Sequence, residues 1–533
     1  ESDQRLATQL KMFQERALPN MGNNIKCGNS LIGTDFFKDN IDMAEDELYR
    51  INPFDWQGEF PEIMGNGGFD VVIGNPPYIR IQTMKEWAST DLDYYKQKYK
   101  STSKGNYDIY VIFVERGLQL LNENGCTGFI LPHKFFNSKY GEPLREIISQ
   151  GKHLNKIIHF GDQQIFASAT TYTCLLFLTK FQNINFNFTK INDLNNWRST
   201  QKAQDENFSN ERVTSKEWNF VIGKGLQLFK RLSELPVTLE KVTERIFQGL
   251  KTGADKIYIV DEIDKKNEEI KIYSKEKQSE YWIEANLLQP LIKGGDSKPY
   301  NLQTTNRRII FPYMVNDDSE KTILIPEIKL KTDYPLTWKY LLDNKKYLEN
   351  RENGKMNGIN WYAYSRNQAL DVIKFPKLFT PDIASKSSFS ADQSGNIFFT
   401  GGAAGGYGII VSKSYSKEYI LGLLNSKLLE WFIRQCATQM RGGYYSYECR
   451  FIKNMPIHHI DFSNFNDKIK HDQIVELVNR MLLSNQKLQL TRTPQEKNLL
   501  QRQIEMMDRQ INQLVYELYE LTEEEIKIIE EGK

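Results

Sequence analysis

Residues 75–78, Asn75-Pro76-Pro77-Tyr78, bring together groups suited to methyl transfer onto a planar amino nitrogen. Such a nitrogen is a poor nucleophile because its lone pair is delocalised, and no side chain near neutral pH removes its proton outright. The Asn75 side-chain oxygen and the Pro76 carbonyl can each accept one N–H, which steers the lone pair out of plane toward an incoming electrophile. Two prolines fix φ, and a residue before proline is driven to extended backbone, so both acceptors are stiffly held. Tyr78 adds a face on which an unstacked base can lie. A bare Asn-Pro-Pro is more often a turn closing a buried strand. Here the apolar run Phe69-Asp70-Val71-Val72-Ile73 and Gly74 come directly before it and an aromatic directly after, which favours the chemical reading.

The surrounding chain must place that loop. Residues 24–180 alternate strand and helix signals, the pattern of a parallel or mixed sheet covered by helices. Phe69–Ile73 reads as a buried strand. Apolar positions Ile109, Ile112, Phe113, Gly117, Leu120 and Leu121 recur at helical spacing before the Asn-Glu-Asn-Gly stop at 122–125. Strands are expected at 126–131, 156–160 and 172–179, with a helix over 141–149. A loop at the carboxyl end of a strand is where an open α/β sheet holds its ligand. Upstream, residues 24–31 read as a short strand leaving into a polar turn.

The tetrapeptide in this setting resembles the signature of amino-methyltransferases that use S-adenosylmethionine, (Asn/Asp/Ser)-Pro-Pro-(Tyr/Phe/Trp) at the end of a sheet strand. The resemblance makes Asn75, Pro76, Pro77 and Tyr78 the catalytic motif. It implies a cofactor-binding role for Asn29, where many relatives carry Asp, and for Gly74 and Asp108. It also implies a second aromatic against a flipped base, within Phe160–Tyr172, for which Phe166 is chosen and Tyr172 is the second candidate. Asp108 is equally a helix-start residue. The family's glycine-rich turn for the methionine end of the cofactor has no counterpart in the sequence. About 23 residues precede Asn24, and they read as one amphipathic helix, Asp3 to Leu18. The chain therefore looks like the carboxyl-terminal part of a longer protein, with a cofactor pocket only partly encoded and the first strands cut away or supplied by another chain.

Residues 181–235 lose periodicity and read as a junction. Beyond them short strands are expected, among them Lys256–Val260 and Arg308–Phe311, with frequent turns and scattered basics. Lys251-Thr252-Gly253 and Arg441-Gly442-Gly443-Tyr444 put cations and an aromatic beside residues without side chains, which suits contact with phosphate or a base edge. With Tyr281–Gly295 and Leu424–Lys427 they resemble the target-recognition domain of type IIG restriction and modification enzymes, the Eco57I-like kind with a TaqI-like carboxyl-terminal specificity domain. DNA contacts are thereby implied at Lys251, Thr252, Arg441, Gly442, Gly443 and Tyr444, with double-stranded DNA as partner. The Pro381-Asp382 pair lacks a following acidic-x-Lys triplet, so no nuclease centre is expected in this chain. The tail carries capping boxes at Thr493/Glu496 and Thr522/Glu525. A seam through Leu500, Ile504, Met507, Ile511, Leu514 and Leu518 suits an antiparallel hairpin with an earlier segment through Ile474, Val478, Met481 and Leu488.

The expected fold is α/β: a partial Rossmann-like S-adenosylmethionine-dependent methyltransferase sheet (1–215), then an α+β target-recognition domain (236–460) and a helical tail (461–533). The expected activity is adenine-specific DNA methylation within a restriction-modification system. A catalytically incomplete specificity fragment or phage-defence subunit and, less favoured, a protein glutamine methyltransferase are the alternatives. Composition bounds rather than directs this reading. A chain of 533 residues exceeds one ordinary core, and its net charge of +1 leaves DNA binding to local clusters. Five cysteines without paired spacing and six histidines argue against a zinc site or disulfide framework and for a reducing cytoplasm. No stretch is long and apolar enough to span a membrane.

Overall fold

The computed structural model describes residues 22–39, 43–166, 171–303, 305–315 and 321–531. The helix expected over Asp3 to Leu18, and residues 167–170 of the Phe160–Tyr172 segment, lie outside them. The chain divides into two compact units, Glu1–Gly223 and Lys224–Lys533.

In the first unit a six-stranded mixed sheet contains β1 (Phe69–Gly74), β2 (Leu121–Pro132), β3 (Leu154–His159), β4 (Thr173–Thr179), β5 (Asn185–Lys190) and β6 (Gln204–Ser209), in the order β1-β2-β4-β3-β5-β6. β1 runs parallel to β2, with Gly74 opposite Phe129. β4 enters antiparallel between β2 and β3. Helix α1 (Tyr110–Leu120) delivers the chain into β2, and α2 (Glu142–Gln150) connects onward to β3. The α1 face toward the sheet is apolar at helical spacing, and Tyr110, Val111, Val114 and Leu118 are buried in the unit's core with Leu131, Cys174 and Leu176.

Three expectations need correction here. Among the described residues β1 is an edge strand rather than a buried one: it pairs there with β2 alone, and Val71 and Ile73 are 55% and 78% exposed. Residues 24–31 form no strand; Asn29 makes a single isolated bridge to Pro53, because no extended neighbour continues the pairing. The junction expected over 181–235 does contain the boundary between the two units, at Gly223/Lys224, but its first part is regular, since β5 and β6 extend the sheet there. Their polar outward positions hid the period, while Phe186, Phe188 and Phe208 face Phe220 inward.

In the second unit, Thr243–Gln248, Gly406–Val411, Lys377–Pro381 and Ser390–Asp392 form an antiparallel sheet. A further six-stranded sheet includes Ile259–Lys266 and Arg307–Ile310. Lys256–Tyr258, read as strand, is instead the end of a helical turn, Asp255–Tyr258, whose first residue bonds the Thr252 hydroxyl. The tail is a helical hairpin, α3 (Phe465–Leu490) and α4 (Pro494–Leu518), followed by α5 (Glu523–Glu531). Ile474, Val478, Met481, Met507 and Ile511 enter one core with Leu423, Leu424 and Phe432. Thr522 and Glu525 form the expected capping box. Thr493 does not: its hydroxyl donates to the Glu496 carboxylate at 2.7 Å, and with Pro494 next to it the cap relies on proline's fixed φ.

Candidate active site and nucleic-acid interface

The Asn75 loop leaves the carboxyl end of β1 and borders a cavity of about 250 Å³. Val72, Gly74, Asn75, Pro76 and Pro77 make one side of it, and Phe113, Arg116, Gly117 and Leu120 from α1 make another. Phe129 of β2 is the floor. A Cβ on Gly74 would lie 3.3 Å from that ring, and one on Gly117 only 2.8 Å from it. Both glycines therefore let the ring slide beneath the loop. Ser30 and Trp56 close the cavity, the indole N–H donating to the Ser30 carbonyl at 3.1 Å while the Arg116 guanidinium lies 6.0 Å from its ring.

Asn75 and Pro77 are exposed and Pro76 is buried, so the loop is anchored at its centre and open at the amide. Tyr78 is half-buried. Its hydroxyl donates to the Ile130 carbonyl at 3.0 Å, its ring meets Tyr110 edge-on at 6.5 Å, and burial pushes its phenol up to about 12. The tyrosine is thus oriented by strand β2. A larger cavity, about 720 Å³, borders Glu115, Pro143, His153 and Lys180 and touches none of the four loop residues.

The other sequence candidates fall unevenly. Gly74 lines the cavity, whereas Asn29 turns its side-chain oxygen to the Leu31 N–H at 3.1 Å, and its neighbour Ser30 reaches the cavity instead. Asp108 accepts from the Tyr140 hydroxyl at 3.2 Å, which joins it to the Tyr110–Tyr140 pair. Phe166 is half-buried, its carbonyl accepting from the Gln164 amide at 2.9 Å, and among the described residues no ring contact links it to Tyr78. Phe113 was read from the sequence only as a helix-packing position, and Arg116 and Trp56 were not singled out. The available signal was an arginine at 116 within the otherwise apolar stripe 113, 117 and 120.

In the second unit, Lys251 is exposed and its backbone bridges to Arg366. Thr252 is fully buried: its hydroxyl holds Asp255 and Ala254, and its carbonyl accepts from the buried Arg351 at 2.8 Å. That side chain is not at the surface. Arg441, Gly442 and Gly443 form the exposed turn between Gln439–Met440 and Tyr444–Ser446, whose first residue Tyr444 is also exposed, with φ of 80° and 75° at the two glycines, a conformation other residues adopt only with strain. Tyr445 of this hairpin pairs with Ala384, two residues past Asp382. Burial, reinforced by Glu448, pushes the Asp382 carboxyl up to about 6, opposed by Arg450 and Lys251. Lys251 of the first motif thus acts on the same acid as Glu448 and Arg450, which follow the second motif in the chain. Among the described residues no His, Cys, Asp or Glu cluster could hold a metal ion, and no helix is long and apolar enough to cross a membrane. All five cysteines are free thiols.

Residues 4–166 match the family of Eco57I restriction-modification methylases, and residues 289–457 match the TaqI-like C-terminal specificity domain. The chain is 32% identical over 527 residues to the type II restriction enzyme and methyltransferase RM.Eco57I of Escherichia coli, covering 95% of this chain and 50% of that protein. It is 22% identical to the type II methyltransferase M.BstVI of Geobacillus stearothermophilus, covering 90% and 77%. The chain thus spans half the length of the first relative. In fold it resembles the type IIL restriction-modification enzyme MmeI, at 13% identity with a TM-score of 0.55 over 90% of this chain and 58% of the other.

Proposed function

We propose that this chain, which joins an Eco57I-type methylase segment to a TaqI-like specificity segment, forms the catalytic-loop and DNA-reading parts of a site-specific adenine DNA methyltransferase in a restriction-modification system. The observation that carries the reading is the stiff Asn75-Pro76-Pro77-Tyr78 loop at the carboxyl end of β1, open at its amide and backed by the Phe129 cavity. The Asn75 oxygen and Pro76 carbonyl accept the two N–H groups of a flipped adenine amine, and the Tyr78 face supports its ring. Binding aligns the reactants, and no strong base is needed.

The residues present fit part of S-adenosylmethionine. Phe113 and Trp56 offer aromatic faces for the adenosine end beside Asn75, and Ser30 offers a hydroxyl. When bound, this cofactor supplies an electrophilic methyl on its sulfonium. The cavity is small for the whole molecule. Among the described residues β1 also presents an unpaired edge with exposed Val71 and Ile73, unusual for a parallel strand, which is normally covered on both sides. This supports completion of the pocket by further strands, from a preceding segment of the same protein or from a second chain.

The deciding experiment incubates the protein, joined to the segments its longer relatives carry, with labelled S-adenosylmethionine and duplex DNA, then digests the DNA to nucleosides. N6-methyladenine at one sequence is expected. N4-methylcytosine would overturn the adenine assignment, and absence of transfer would leave a specificity fragment.

A further inference from the structure

We propose that His133 and His159 form a clasp of two neutral imidazoles on Gly161 that positions the loop carrying Phe166 for capture of the target base. The proposal rests on the methyltransferase reading above for its purpose, and on independent geometry for its existence.

His133 directly follows β2 and His159 ends β3, so both stand at the carboxyl rim of the sheet where the Asn75 loop also emerges. Their ring centroids are 4.2 Å apart, and Phe136, Tyr172 and Phe188 surround them. The Gly161 N–H donates to His159 Nδ1 at 3.1 Å. Gly161 itself is buried at a φ of 55°, which only glycine takes readily, so the turn at the start of the loop is sharply defined. His133 packs its ring on that of His159, and His133 Nε2 is buried without a hydrogen-bond partner among the described residues. The turn continues through the Gln163 N–H to the Phe160 carbonyl at 2.9 Å and the Gln164 amide to the Phe166 carbonyl. Tyr78 is tied to the same rim, through Ile130 three residues before His133.

The clasp requires uncharged rings. Accepting from the Gly161 N–H needs a lone pair on His159 Nδ1, which places its proton on Nε2. Protonation would put an N–H against an N–H and a cation in an apolar nest. The titratable groups facing the pair are Lys190 of β5 and the Cys174 thiol of β4, both opposite His159 in register, Tyr172, stacked on His133, and Asp162 in the turn, which partly offsets Lys190. Burial holds both rings below the ordinary histidine range, His133 down to about 4.

Hydrogen exchange read by mass spectrometry on the peptide covering residues 160–166 tests the clasp without cofactor or DNA. After correction for intrinsic rates, protection at Gly161 should fall about tenfold in His159→Leu. It should persist in His159→Asn, whose side-chain oxygen can take the place of Nδ1. In the unmodified protein the same peptide should lose protection as pH falls from about 6.5 toward 4 while peptides from β2 keep theirs. Equal protection in the leucine variant, failure of asparagine to rescue, or uniform loss along the sheet in acid would each overturn the clasp. In turnover, His159→Leu should lower kcat and the signal of a fluorescent base at the target position, leaving KM for cofactor unchanged, with His159→Asn restoring both. A clasp present without that kcat effect would overturn its role in base capture, and absence of methyl transfer by the unmodified protein would sink the methyltransferase reading while the exchange result still stands.

Discussion

The Tyr78 hydroxyl donates to the Ile130 carbonyl of β2, fixing the last residue of the Asn75 loop to the neighbouring strand. Tyr78→Phe keeps the ring but leaves that carbonyl without its tyrosine donor. It should cost about 0.5–1.5 kcal/mol of stability, with base stacking largely kept. Tyr78→Ala should in addition weaken capture of the flipped base by about 1–3 kcal/mol. Fluorescence of an adenine analogue at the target position separates the two. Equal signals from both variants would move the stacking role away from Tyr78.

Asn75→Ala removes one of two acceptors that act chiefly as the amine is activated. Methylation should fall by about 10² to 10³, the scale of one preorganised polar contact, with DNA affinity nearly unchanged. Single-turnover methyl transfer and a binding titration measure the two separately. Normal turnover by this variant would refute the catalytic assignment.

In the second unit Lys377 and Asp392 form an ion pair at 2.7 Å with both side chains 1% exposed. Asp392 also accepts from Ser394 and from the Gly395 and Ile397 N–H groups. Asp392→Ala leaves a buried ammonium with, among the described residues, only the Ile373 and Phe375 carbonyls. Destabilisation of about 3–5 kcal/mol is expected in urea unfolding.

Acid should weaken the first unit through its histidine pair. Both rings sit below the ordinary value of 6.5 in the folded chain, so the unfolded chain takes up protons first. The stability they contribute is complete above about pH 6.5 and declines as pH falls toward 4, by up to about 1.4 kcal/mol per pH unit for each ring. Urea midpoints across this range should fall more steeply for the unmodified protein than for His159→Asn.

Arg441 stands beside two left-handed glycines at an exposed turn, where backbone can approach a phosphate closely. Arg441→Ala should weaken binding to all DNA alike and reduce the salt slope by about one phosphate. Loss of preference at a single base pair with an unchanged slope would make it a base reader instead.

The tetrapeptide, the strand before it and the helix after it were legible in the sequence because each obeys a local rule: an apolar run, a proline-locked loop, a 3.6-residue stripe. The hairpin tail was legible for the same reason. Pairing between distant segments was not. Whether Phe69–Gly74 lies inside a sheet or at its edge depends on which strands flank it, and the apolar run reads identically in both cases. Lys251 and Thr252 look alike as polar residues in a glycine turn, yet Arg351, far along the chain, draws the Thr252 carbonyl inward and leaves Lys251 outside. His133 and His159 are isolated letters until β4 inserts between β2 and β3 and brings the strand ends together. The sequence by itself determined which acceptors and which ring the loop offers, since that follows from side-chain type and backbone stiffness. Tertiary structure alone decided what is buried, open or paired around it, because those properties belong to contacts between residues that chain order does not bring together.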